Sequence, residues 1–253
     1  MIFGLEVWVY ALVVAVYLLG GYVKGAIGFA LPMIAVAGGA TVLDAQTAVA
    51  AVILPALFAN IFQAFREGVG PLLSVLNRFW PSILVTVVMI ALTAPLLVWL
   101  PSWAIFLTLG LGVGVFAIIQ LLGWRPTISP QSERPIGVGI GMIAGFYGGV
   151  AGMWGPAFIL YLTALRLPKA EHVRAAGACF LAGGVIITPS HALTGVLTGD
   201  RLMLSLTLIP VAFAGMKLGQ RLQDRLDPDV FRKVTLLVLV LSAVNLLRRA
   251  ALG

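Results

Sequence analysis

Apolar runs long enough to cross the hydrocarbon of a bilayer recur from one end of the chain to the other, with only short polar breaks between them. Ten segments can be drawn: Leu5–Val23, Ala26–Ala40, Ala45–Phe65, Phe79–Leu100, Trp103–Gly123, Ile136–Tyr147, Val150–Leu165, Val173–Val196, Leu202–Leu218 and Val230–Leu247. The second, sixth and seventh are short, and each abuts one of two glycine-rich strings. Glycine and proline clusters mark the other breaks: EGVGP after Arg66, LPSW at 100–103 and RPTISPQSERP at 125–135. That last linker is the most polar and lies near the middle, separating a first repeat (1–124) from a second (136–253). No soluble domain of any size fits between the runs. The pattern predicts one all-α membrane domain with about eight to ten transmembrane segments, three of them broken or re-entrant. The N-terminal run of 19 residues, without a positive stretch before it, reads as a spanning helix and not as a cleaved signal.

Composition agrees. Of 253 residues, 61% are hydrophobic and 10% charged, with a mean hydropathy of +1.08, which excludes a soluble domain that must coat its core with polar groups. The net charge of +7 does not point to nucleic acid, because the basic residues sit in short loops between apolar runs. They report topology instead. With the N-terminus outside, the inner side receives Lys24, Arg66, Arg78, Arg125, Arg134, Arg166, Lys169, Arg174, Lys217, Arg221, Arg225, Arg232 and Lys233. The outer side keeps Arg201, Arg248 and Arg249. This asymmetry predicts basic loops in the cytoplasm and both termini outside. A single Cys179 excludes an intrachain disulfide, and His172 and His191 have no metal or haem spacing. No cofactor or metal is expected.

The two glycine-rich strings are GYVKGAIGFALP at 21–32 and GFYGGVAGMWGP at 145–156. An offset of 124 aligns Gly21, Gly25, Gly28 and Pro32 with Gly145, Gly149, Gly152 and Pro156. An offset of 127 then aligns Ala48 with Ala175, Gly68 with Gly195 and Pro101 with Pro228. Five segments in each half, an odd number, imply that the halves enter the membrane from opposite sides, the construction of many secondary transporters. Two breaks related by inversion would bring helix ends and bare amides together, an arrangement that suits an anion. The alternative reading is helix packing through small-xxx-small pairs.

Together with HVRAAGACFLAGG at 172–184, these strings resemble the TauE/SafE family of sulfite and organosulfonate exporters over nearly the whole chain. The resemblance implies a multi-pass transporter in the cytoplasmic membrane of a bacterium that moves sulfite, sulfoacetate or a related small anion outward. The second string departs by carrying Gly148 where the first has Lys24.

Lys24 is the leading candidate for the substrate site, since a charge at a membrane break is costly unless paired or hydrated; the alternative is that it snorkels to the inner surface. Arg174, at the start of the eighth segment, offers a guanidinium fork for a sulfonate or acts as a positive-inside anchor. Asn60 and Gln63 lie three apart on one helix face, and Thr188, Ser190, His191 and Thr194 gather around Pro189; these groups line a pathway or simply bond between helices. The backbone at Gly25, Gly28, Gly149 and Gly152 and the rings of Phe29 and Trp154 complete the candidate set. All nine carboxylates fall at segment ends or in loops, leaving no buried acid for proton or sodium coupling. Export driven by the membrane potential suffices: moving one negative charge outward gains about 2.3 kcal/mol per 100 mV. Two other classes fit the residues less well. A membrane enzyme is disfavoured because Ser190 and His191 diverge on a helix and no HExxH, CxxCH or GxSxG string occurs. An accessory subunit has no need of broken helices. The partners expected are thus a small anion and lipid, not nucleic acid, with the oligomeric state open.

Overall fold

The computed structural model describes residues 1–66, 68–124, 126–222 and 228–252, and the described residues form an all-α fold. Its helices are α1 (Val7–Ile27), α2 (Leu31–Gly39), α3 (Ala45–Ala64), α4 (Val69–Thr93), α5 (Leu96–Trp99), α6 (Ser102–Leu121), α7 (Glu133–Ala151), α8 (Gly155–Ala164), α9 (Lys169–Leu193), α10 (Gly199–Leu222) and α11 (Pro228–Leu252). Seven stretches among them are long and apolar enough to cross a membrane, so this is an integral membrane protein. The faces of α1, α4, α6 and α11 turned away from the bundle expose Leu, Val, Ile and Trp side chains, as lipid contact requires. With nine and ten residues, α2 and α8 reach only about 14 Å and cannot cross hydrocarbon about 30 Å thick.

Each expected segment meets a helix, with three corrections. The fourth segment starts at Val69 and not at Phe79, because EGVGP opens a helix here and does not break one. Gly68 takes a left-handed φ of 93° before the first turn, and Pro71 falls where helical N–H groups lack partners anyway. Leu72, Val75, Phe79, Ser82, Thr86, Ile90 and Thr93 then keep one buried face, and Arg78 lies inside the helix. The sixth segment is not short: α7 has 19 residues and runs on to Ala151. The third concerns Lys24, assigned above to an inner loop; it lies in the last turn of α1 with 3% of its surface exposed. Arg125 and Arg225 lie outside the described residues.

The halves pack alike. α1 packs along α10 as α7 packs along α4, and α3 meets α10 as α9 meets α4, so that these pairs, with α3·α9 and α6·α11, interlock the halves; α2 and α8 each fold back on the helix before them. The aligned glycines have matching work. A Cβ on Gly21 or Gly25 would strike the carbonyls of Ala212 and Met216 in α10, and one on Gly145 or Gly149 would strike Thr86 or Thr93 in α4. On the partner helix, Gly215 and Gly219 lie against the carbonyls of Leu18 and Tyr22. The register rises together on both partners, so α1 runs parallel to α10 and α7 parallel to α4. Glycine disfavours a helix interior by roughly 1 kcal/mol; close backbone approach offsets this in α7, where helix packing overrides local propensity. A further local detail stabilises α3: Pro55 lacks the N–H that would reach Ala51, and the Ser205 hydroxyl of α10 donates to that carbonyl at 3.0 Å.

One end of the bundle holds Arg78, which donates to Glu133 (2.8 and 3.0 Å) and to Glu171 (2.6 Å), tying α4 to the starts of α7 and α9. At the other end, Arg201 of α10 lies 3.8 Å from Asp44, the N-cap of α3, and donates to Thr47 and Gln46. Asp44 and Glu171 correspond under the offset of 127, and α10 corresponds to α4. Both chain ends lie at the Asp44 end, where Arg249 donates to the Leu43 carbonyl and Gly4 approaches Asp200. Gly145→Val, which drives a side chain into the Thr86 backbone, is expected to destabilise the detergent-solubilised protein by about 1–3 kcal/mol. Gly139→Val in the same helix, with nothing within 4 Å, is expected to leave its thermal unfolding unchanged.

Candidate functional site

The two glycine-rich strings end their helices in the same way. Gly28, at φ 85°, caps α1 with its N–H donating to the Lys24 carbonyl at 2.8 Å; Gly152, at φ 67°, caps α7 with its N–H donating to the Gly148 carbonyl at 2.9 Å. A left-handed residue is what a helix needs to stop and reverse, and glycine takes that conformation without a Cβ penalty. Pro32 and Pro156 then sit in the first turn of α2 and α8, where a missing N–H costs nothing. The breaks are not identical. Ala30 holds a left-handed φ of 81° without being glycine, whereas its counterpart Trp154 is right-handed at φ −96°.

Both breaks open on one cavity. Its walls are Lys24, Phe29, Ala30, Pro32 and Met33 from the first break, Gly152, Met153, Trp154, Gly155 and Pro156 from the second, and Asn60 and Phe180 from α3 and α9. Among these Lys24 alone is charged. Its ammonium donates to Asn60 Oδ1 at 2.7 Å and lies 5.5 Å from the Phe180 ring centroid. Asn60 is itself 2% exposed and held in place by donating from Nδ2 to the Phe180 carbonyl at 3.2 Å. One amide oxygen and a ring face are modest compensation for a buried cation, which ordinarily needs an opposite charge. Among the described residues no carboxylate lines the cavity. The arrangement leaves a positive site with spare donor capacity, since an ammonium carries three N–H groups. Phe29 stacks edge-on against Phe116 of α6, centroids 5.9 Å apart, and the Trp154 indole fills the space left by Gly183, its buried N–H without a partner.

A family model described as Sulfite exporter TauE/SafE matches residues 13–246. The chain belongs to that family. No curated protein and no solved structure matches it.

In this TauE/SafE family member, a family of membrane transporters, the cavity brings together Lys24, Phe29, Asn60, Gly152 and Trp154 of the residues singled out in the sequence. Gly28 forms the turn beneath, close to Gln63 and Val173. Gln63 lies one turn on from Asn60 and donates to the Val173 carbonyl at 3.1 Å, which pins α3 to α9 without lining the cavity. Gly25 and Gly149 face α10 and α4 and serve packing, the alternative reading of their strings. Arg174 lies in a separate cleft near Arg78 and Glu171. Thr188 and Ser190 donate back to the Gly184 and Ile186 carbonyls at 2.8 Å, and His191 is fully buried among the residues around Thr194, toward the far end of α9. The sequence reading missed Phe180, Met33 and Met153. Phe180 carried a faint signal, since it lies within the 172–184 string, but nothing local says that its carbonyl anchors an asparagine 120 residues away.

Asn60→Leu removes the only hydrogen-bond partner of the Lys24 ammonium among the described residues. It is expected to lower stability by about 2 kcal/mol, the range of a bond to a charged group, read as an earlier thermal unfolding in detergent.

Proposed function

We propose that this chain exports a small sulfur-containing anion, sulfite or an organosulfonate, across the bacterial cytoplasmic membrane by alternating access, driven by the membrane potential. The observation that carries this reading is the buried, incompletely compensated Lys24 ammonium, alone in charge among the described residues at the meeting point of two broken helices. A cation so placed is an expense to the fold unless an anion joins it. Backbone irregularity at membrane depth is tolerated only where it is buried in protein or lines a cavity, and both breaks line the same one.

The mechanism follows from the matched halves. In this reading they are inverted repeats about an axis in the membrane plane, with the Arg78 end in the cytoplasm and the Arg201 end, with both termini, outside. Arg78–Glu171 and Asp44–Arg201 are then equivalent clasps at opposite ends, each tying a long helix to the start of the helix it crosses. Partly exposed ion pairs contribute only about 0 to 1 kcal/mol each. Such clasps hold one face closed and release it without a large barrier. A shift in how the interlocked helices of the two halves meet exposes Lys24 alternately to each side, and an inside-negative potential expels the anion with no coupled ion.

Flux of radiolabelled sulfite in proteoliposomes holding the purified chain alone tests this. Uptake or release is expected to follow an imposed potential and to fall at least about tenfold in Lys24→Gln; potential-independent or absent flux contradicts the reading. Arg78→Gln, which opens the cytoplasmic clasp, is expected to increase labelling of a cysteine placed at Met33 by an impermeant thiol reagent from the Arg78 side, in a Cys179→Ser background.

A further inference from the structure

Resting on the anion-site reading above, we infer that the cavity selects its cargo by charge number: it accepts monoanions, such as hydrogensulfite or a simple alkanesulfonate, and rejects dianions, such as sulfate. Lys24 supplies one positive charge, and among the described residues no other charged side chain lines the space. Three further cations of the bundle are engaged elsewhere. Lys217 lies over the Phe62 ring at 4.1 Å and the Phe213 ring at 5.3 Å, Arg78 is held between Glu133 and Glu171, and Arg174 faces the separate cleft beside Glu171.

A monoanion against the ammonium forms a neutral pair, which an apolar enclosure of Phe29, Met33, Met153, Trp154 and Phe180 tolerates. A dianion leaves one uncompensated negative charge in the same enclosure. Its hydration cost rises steeply with charge, and the donors that remain, the unbonded Lys24 N–H groups and the Trp154 indole N–H, add no second positive charge; the Asn60 amide is engaged with the Phe180 carbonyl, and Pro32 and Pro156 have no N–H to give. Asn60 matters as much as Lys24 here. As an amide it orients the ammonium without cancelling its charge; as a carboxylate at the same 2.7 Å it would form a closed ion pair and leave the cavity neutral when empty.

Proteoliposomes holding the full chain are loaded with methanesulfonate or sulfate, whose charges are fixed at one and two across the working pH range, and flux is measured under the same imposed potential. Methanesulfonate is expected to exceed sulfate by at least about tenfold, with excess sulfate failing to inhibit it. Asn60→Asp is expected to abolish methanesulfonate flux while the protein remains folded and monodisperse, since the substitution is isosteric and the added attraction to Lys24 offsets the lost hydrogen bond to the Phe180 carbonyl. Comparable flux of both anions, or flux of sulfite without methanesulfonate, would overturn charge selection and leave the transporter reading intact, whereas flux of none of the three would overturn both. Native methanesulfonate flux in Asn60→Asp would also overturn the inference, because the site's net charge would then not decide passage. If that variant does not fold, the ratio of the two anions in the native protein decides alone.

Discussion

Hydrocarbon offers no partner to a backbone N–H or C=O, so a membrane chain that interrupts a helix must satisfy the freed groups from within the protein. That constraint organises this structure. At each break a left-handed glycine returns its N–H to the helix it ends, a proline follows where no N–H is missed, and a short helix folds back beside the long one. Such a turn is only sheltered if the long helices around it stand close. The glycines earlier in each string bring α1 onto α10 and α7 onto α4 at backbone contact. Packing and breaking are therefore consecutive parts of one device, and the question whether the strings serve one or the other has the answer that Gly21 and Gly25 do the first and Gly28 does the second.

The same shelter makes Lys24 possible. An ammonium in the last turn of a helix ordinarily reaches for the membrane surface, but here the chain reverses four residues later and α3 and α9 close over the side chain. Asn60 and the Phe180 ring steady it without neutralising it. The second half has Gly148 at the matching position, against Ile90 and Trp154, so the two halves share a scaffold and differ in chemistry. That asymmetry makes one site from two breaks.

Much of this was legible in the sequence, for a physical reason. Glycine and proline act on the backbone wherever they stand, so the paired strings announced the turns, and charge at a break is rare enough to single out Lys24. Hydrophobic length gave the helices, except where EGVGP looked like an interruption and was an opening. What could not be read was the face each side chain presents. Arg174, Thr188, Ser190 and His191 have suitable chemistry, yet their helix turns them toward a cleft, their own carbonyls or the far end of the bundle. Phe180, Met33 and Met153 look like any apolar residue bound for lipid, and only the tertiary pairing of α3 with α9 and of one break with the other gives them a place in the cavity.

The account stands on the two breaks sharing one cavity. Thiol cross-linking in native membranes tests this most directly, with Phe29→Cys and Met153→Cys combined in a Cys179→Ser background. A short bifunctional thiol reagent is expected to join the pair and to protect both from later labelling. Two cysteines that each react singly but never join would place the breaks in separate environments and contradict the account.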